Sequence, residues 1–285
     1  MRIAISNIAW DPTEDADVAA LLRRYGIDAV DLAPGKYFDQ PAAARDAEID
    51  AVRRRWADEG IAVTGMQALL FGTSGLNLFG PPAVQQAMLD HLQAVCRIAA
   101  GLAAAGDVPR LTFGSPKNRD RSGLDDMAAE AAAVPFFRRL GDIAQAAGVV
   151  VCLEPNPERY GANFMLTHAE AARVVAVVAH PAIRLQLDTG ALTIQHEPPG
   201  EVLAAHAALV GHVHLSEPDL VPLGDGGTAH AAVAAALRQA LPRHVLSIEM
   251  LATRDEPHLA AIERALRVAQ AHYGGAAATA AEAAR

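Results

Sequence analysis

Short runs rich in Val, Ile and Leu alternate along the chain with longer segments whose apolar positions recur at helical spacing. The strand-like runs are Arg2 to Ala9, Ala29 to Pro34, Ile61 to Leu70, Arg110 to Ser115, Val149 to Asn156, Ile183 to Gly190, Leu209 to Glu217 and His244 to Leu251. Segments such as Pro81 to Ala105 and Leu124 to Ala147 supply the helices between them, giving eight of each. Gly26, Gly60 and Gly148 stand where helices should end before a strand. Thr167, with Glu170 three residues on, reads as a capping box. The strands are continuous apolar runs, as expected of a parallel sheet buried on both faces. Eight βα units without a linker predict an α/β fold, a single (β/α)₈ TIM barrel over residues 1–273. A doubly wound open sheet is the alternative, weakened because no Gly-rich phosphate fingerprint follows a strand. Gly224-Asp225-Gly226-Gly227, after the seventh strand, reads as a flexible loop. Residues 274–285 read as a low-complexity tail without a function.

Composition narrows the class. A length of 285 residues suits one barrel, and a hydrophobic fraction of 52% with only 5% aromatics suits helices packed on a buried sheet. The net charge of −9 disfavours a nucleic-acid partner. Cys96 and Cys152 lack metal or redox spacing and are expected to be buried thiols in a reducing compartment. No signal-peptide pattern opens the sequence, and no run approaches the ~20 apolar residues of a membrane span. A soluble, cytoplasmic protein is the expectation.

The candidate chemistry lies at the ends of the late strands, where a barrel gathers its function. Strand five ends Leu153-Glu154-Pro155-Asn156, strand six Leu187-Asp188-Thr189-Gly190, strand seven His212-Val213-His214-Leu215-Ser216-Glu217, and strand eight Ser247-Ile248-Glu249-Met250. One acid or histidine from each of four successive strands would converge at the mouth. Three carboxylates there repel one another, and a divalent cation resolves the conflict. Three oxygens and one imidazole suit Mn²⁺, Mg²⁺ or Co²⁺ better than a structural zinc. By strand alternation His212 lies one layer deeper than His214, and Gln186, Cys152 and Ser247 fill that layer.

These motifs resemble the sugar phosphate isomerase/epimerase superfamily, whose barrel is similar to that of xylose isomerase. It includes ketose 3-epimerases, hydroxypyruvate isomerase and inosose dehydratase. The ligand positions are separated by 34, 26 and 35 residues, close to the family's spacing, and the resemblance is sharp in the second half of the chain. It implies one divalent metal on Glu154, Asp188, His214 and Glu249, with Mn²⁺ first and Mg²⁺, Co²⁺ or Zn²⁺ as alternatives. It also implies Glu154 and Glu249 as an acid/base pair that moves a proton beside a carbonyl through an enediolate. Return of the proton to the opposite face is epimerisation; return to the neighbouring carbon is isomerisation. A small carbohydrate-like substrate and, by analogy, a homodimer are the implied partners.

The chain departs from the family in two places. Ala191 stands where the epimerases carry a substrate-touching histidine, and Pro218-Asp219-Leu220-Val221 lacks their arginine. His196 or Glu217 is a candidate to fill the gap. Gln67, Lys117, Arg119, Asn156 and Glu217 are the candidate substrate contacts. The two cations of Phe113-Gly114-Ser115-Pro116-Lys117-Asn118-Arg119 could grip a phosphate or carboxylate. Asn7 and Lys36-Tyr37-Phe38 are weaker candidates. The competing readings are an inosose-dehydratase-like lyase, a non-catalytic ligand-binding barrel and a metal-dependent nuclease. The last is disfavoured by the acidity and by the missing histidines.

Overall fold

The computed structural model describes residues 1–274, and the tail from Gly275 lies outside the described residues. Eight parallel strands close into a barrel in sequence order: β1 (Arg2–Ser6), β2 (Ala29–Leu32), β3 (Ala62–Met66), β4 (Arg110–Phe113), β5 (Val150–Leu153), β6 (Ile183–Asp188), β7 (Val210–Ser216) and β8 (Val245–Glu249). The closing pair is β1 with β8, in register Arg2↔Val245 to Ile5↔Ile248. Helices α1 (Asp15–Arg24), α2 (Asp46–Asp58), α3 (Pro82–Leu102), α4 (Asp126–Ala147), α5 (His168–Val178), α6 (Thr189–Ile194), α7 (Pro199–His206), α8 (His230–Ala240) and α9 (His258–Tyr273) form the outer layer. Among the described residues no helix is long and apolar enough to cross a membrane.

All eight strands fall inside the runs read from the sequence, but each ends earlier than its run. The difference lies at the carboxyl ends. There the backbone leaves the sheet to point side chains into the mouth, as at Asn7–Ala9, a 3₁₀ turn. Nine helices replace the expected eight among the described residues, because the six-residue α6 starts directly on Asp188 and Pro199 begins a separate one. Gly148 closes α4 in the left-handed conformation with φ 73°, a backbone that L side chains rarely adopt. At α5 the Thr167 hydroxyl accepts from the Glu170 N–H, whereas the Glu170 carboxylate turns to the Leu166 N–H instead of Thr167.

The two strand faces differ in chemistry. Outward positions such as Ile5, Leu111, Leu153, Leu187 and Leu215 are buried against the helices as branched apolar side chains. Inward positions are polar. Thr112 pairs in register with Cys152, Gln186 with His212, and His214 with Ser247. With Asp31 from β2 these fill the middle of the lumen, all nearly inaccessible to solvent. A lumen filled this way needs its hydrogen bonds satisfied internally. Both cysteines are buried and unpaired.

Candidate metal and substrate site

Glu154 follows β5, Asp188 ends β6, His214 lies on β7 and Glu249 ends β8. One ligand atom from each lies within 4.8 Å of the others. His214 Nδ1 sits between the glutamates, 3.1 Å from Glu154 Oε1 and 3.1 Å from Glu249 Oε2. Asp188 faces them and caps α6: Ala191 N–H donates to its Oδ1 at 2.6 Å and Ser216 Oγ to its Oδ2 at 2.6 Å. Gln67 Nε2 donates to Glu249 Oε1 at 2.9 Å, and Asn156 Nδ2 to Glu154 Oε2 at 3.3 Å. Gly114 makes room for Glu154, since a Cβ there would lie 1.9 Å from Glu154 Oε2.

The electrostatics of this cluster fit a cation. Burial, then the charges of Glu154 and Glu249, push the Asp188 carboxyl up to about 8. Burial opposes a charge on His214, but the two glutamates outweigh it and hold the imidazole well above its ordinary value. Burial likewise opposes the charge on Glu249, and His214 outweighs it. Three carboxylates and a neutral imidazole carry −3. Two protons, on His214 and Asp188, bring the cluster to −1; one divalent cation does the same. The donor set also fits: His214 Nδ1 points into the cluster, while its Nε2 faces Thr112 Oγ1 at 3.4 Å, which fixes the ring.

Support for the cluster runs down the lumen. Thr112 Oγ1 donates to Gln186 Oε1 at 3.3 Å, and Gln186 Nε2 meets His212 Nδ1 at 3.2 Å. His212 Nε2 then lies 3.1 Å from Asp31 Oδ2, a close contact that is poorly aligned as a hydrogen bond. Thr64 Oγ1 donates to the other Asp31 oxygen at 3.0 Å. Burial would raise the Asp31 carboxyl, but His212 outweighs it and holds it below the usual carboxylate range. Asp31 escaped the sequence reading although its signal was present: an acid inside the apolar run Ala29-Val30-Asp31-Leu32. His168 escaped it too. Its Nε2 accepts from the Asp188 N–H at 3.2 Å, and Glu197 holds its Nδ1 at 2.7 Å.

The candidate substrate contacts divide. Gln67 and Lys117 line a cavity of about 420 Å³ that also touches Glu154 and Glu249. Gln67 Oε1 is buried there without a partner, so it can receive a hydroxyl. Among the described residues the Lys117 ammonium reaches only the Thr73 carbonyl, at 3.3 Å. Asn156 lines a second cavity of about 420 Å³ with Tyr160, Asp188 and Asp219, which shares both glutamates with the first.

Arg119 differs from the expectation. It is fully buried, and its guanidinium donates to the Glu154 carbonyl at 2.6 Å and to Asn156 Oδ1 at 2.5 Å. It fixes the end of β5 instead of offering its charge to a ligand, and burial lowers it to about 10. Lys36 lines the first cavity, but its ammonium is held by the Asn7 and Trp10 carbonyls. Asn7 Oδ1 accepts from the Ala33 N–H, Tyr37 donates to Asp15, and Phe38 packs in the core. Ala191 gives the site only its backbone N–H, and His196, beyond the far end of α6, lines neither cavity.

Glu217 lines the second cavity, but its carboxylate is already engaged. Its Oε1 accepts from the Gly224 N–H and meets His230 Nε2, each at 2.7 Å, and its Oε2 accepts from the Thr228 N–H at 2.8 Å. The Gly224–Gly227 segment is therefore wound around a buried carboxylate and does not hang free as a loop. Burial alone would raise this carboxyl, but the donors, His230 foremost, hold it at about 2. Folding thus favours the ionised form. The stabilisation is complete above the ordinary value of 4.5 and drains away as pH falls from there toward 2. Glu217→Gln is expected to lose about 3 kcal/mol at neutral pH and to flatten the acid limb. Urea unfolding at neutral pH and near pH 4 checks this; a variant curve parallel to wild type would refute it.

A barrel with ionisable groups gathered at its carboxyl-terminal mouth defines a class of site that handles small molecules there. The sequence model of the xylose isomerase-like TIM barrel family matches residues 19–272, and the chain belongs to that family. No curated protein sequence matches it. Among solved structures it is similar to a D-psicose 3-epimerase crystallised with D-fructose, at 20% identity and TM-score 0.79, over 96% of this chain and 100% of that one. An L-ribulose 3-epimerase is similar at 21% identity and TM-score 0.78, over 100% of this chain and 98% of that one. A 3-keto-D-glucoside 4-epimerase from E. coli is similar at 18% identity and TM-score 0.75, over 94% and 98%. At these identities the likeness establishes the fold.

Proposed function

We propose that the chain is a divalent-metal-dependent isomerase or epimerase of a sugar, sugar phosphate or sugar-like hydroxycarbonyl compound. The observation that carries this reading is the placement of Glu154 and Glu249. Each approaches His214 Nδ1 at 3.1 Å, and both face the same two cavities. Glu154, Asp188, His214 and Glu249 would hold the ion, which supplies Lewis-acid polarisation of a carbonyl and offsets the charge that develops on its oxygen. One glutamate takes the proton from the carbon next to that carbonyl, and the other returns a proton. Gln67 orients Glu249 through Nε2 and leaves Oε1 for a substrate hydroxyl. Asn156 and Arg119 orient Glu154 from the opposite side. Lys117 is the cation available to an anionic substituent. Solved neighbours that are sugar epimerases support a carbohydrate substrate.

The test joins metal and proton. Purified protein is expected to carry about one Mn²⁺-like ion per chain, and chelation is expected to abolish turnover. Ketoses such as D-fructose, D-psicose and L-ribulose, their phosphates, 3-keto-glucosides and inososes would be incubated with it in D₂O. Deuterium entering carbon without loss of water supports the reading. Loss of water would move the protein to the lyases, and undiminished exchange after chelation would sink the metal role.

A further inference from the structure

The opposite, amino-terminal end of the barrel carries a cationic cavity that this reaction leaves unused. It encloses about 280 Å³ and is lined by Arg2, Arg110, Arg243 and His244, with Asp107 as its lining acid. Arg110 begins β4 on the inward face, two residues below Thr112. Arg184 is also on the inward face, because it pairs in register with Cys152.

Counter-charge is scarce there. Arg2 is neutralised by Asp28 at 2.8 Å, and Arg184 is spent on the Ala208 carbonyl. Arg110 and Arg243 make no ion pair or side-chain hydrogen bond among the described residues. Burial, then the charges of Arg110, His212 and Arg184, holds His244 below its ordinary value, so the imidazole stays neutral among cations. Elsewhere in the molecule many guanidinium groups are paired with acids, as Arg264 is with Asp225 and Glu256. The chain as a whole carries −9, so this end is a local reversal of sign that draws anions by its field.

We propose that this cavity is a binding site for a phosphate-type oxyanion, inorganic phosphate or a small phosphomonoester, held by Arg110 and Arg243. Two guanidinium forks match the geometry of a tetrahedral oxyanion, and each can donate twice. The volume admits a phosphate with a small organic group attached. Asp107 opposes one positive charge, which leaves the lining cationic. The site lies at the far end of the barrel from Lys117 and the glutamates, so it stands apart from the reaction proposed above.

Calorimetric titration of the full chain with inorganic phosphate, at ionic strength held constant with chloride, tests it. Saturable binding is expected, weakened about tenfold or more by Arg110→Gln and by Arg243→Gln and unchanged by Arg54→Gln on the outer face of α2. Glycerol phosphate run in parallel separates the two sources: tighter binding than phosphate indicates an ester ligand, and weaker binding the free ion. Arg243 is exposed and its variant should fold even if Arg110→Gln does not. No saturable binding, binding equal in Arg243→Gln, or equal weakening in Arg54→Gln would overturn the proposal.

Discussion

Glu154→Gln and Glu249→Gln are each expected to cut turnover by about 10³-fold or more while leaving the barrel folded. Each substitution keeps the shape of the side chain and one carbonyl oxygen but removes the group that carries the proton. A loss of that size corresponds to about 4 kcal/mol of transition-state stabilisation. The second half of the expectation separates this from general damage. In the metal-free protein, Asp188 is pushed up partly by the charges of Glu154 and Glu249. Removing either charge relieves that repulsion but also takes a partner from the protonated His214, so the melting temperature measured in chelator should change little. Loss of activity joined to little-changed apo stability is the signature of groups placed for chemistry. Deuterium exchange and thermal melting of the two variants check this. Full activity in both would refute the acid/base assignment, and a large fall in the apo melting temperature would show general damage to the fold.

The sequence made the barrel legible because its signal is local. The four- to seven-residue strands carry apolar side chains on their outward face throughout, then end in the polar groups that the mouth needs. Glu154, Asp188, His214 and Glu249 stood out because each interrupts such a run at the same place, and parallel strands in sequence order bring equal places together. The roles of Arg119 and Glu217 were not legible, because their partners lie elsewhere. Arg119 is held by groups 35 and 37 residues on, and Glu217 by backbone N–H groups 7 and 11 residues on. Lys117 and Arg119 look equivalent in sequence, yet they share a 3₁₀ turn, where residues two apart point in different directions. One is left in a cavity and the other is driven into the core. Asp31 is the opposite case: its position in an apolar run was a usable signal that went unread, while its partner His212, on the far side of the lumen, could come only from the structure.

Gly114→Ala is expected to lower turnover by about 10²-fold or more through a single methyl group. Gly114 leaves β4 beside Glu154, and its backbone is not left-handed, so the constraint is space alone. A Cβ would meet Glu154 Oε2 at 1.9 Å and Glu154 Cδ at 3.0 Å. The carboxylate must therefore swing away, and its exits are limited. Its other oxygen faces His214 Nδ1, Asn156 Nδ2 lies 3.3 Å from the clashing one, and Arg119 anchors the backbone carbonyl from below. Glu154 would leave the cluster of four, so metal affinity should fall along with turnover, which a purely structural defect would not select. The fold should lose about 1–3 kcal/mol, the usual range for an inserted methyl group in a packed site. Gly200→Ala is the matched control, because nothing lies within 4 Å of its Cβ position and its backbone is ordinary. The control should keep metal affinity and turnover. Wild-type metal affinity in Gly114→Ala, measured by titration against a chelator of known strength, would show that Glu154 does not belong to the ion's donor set.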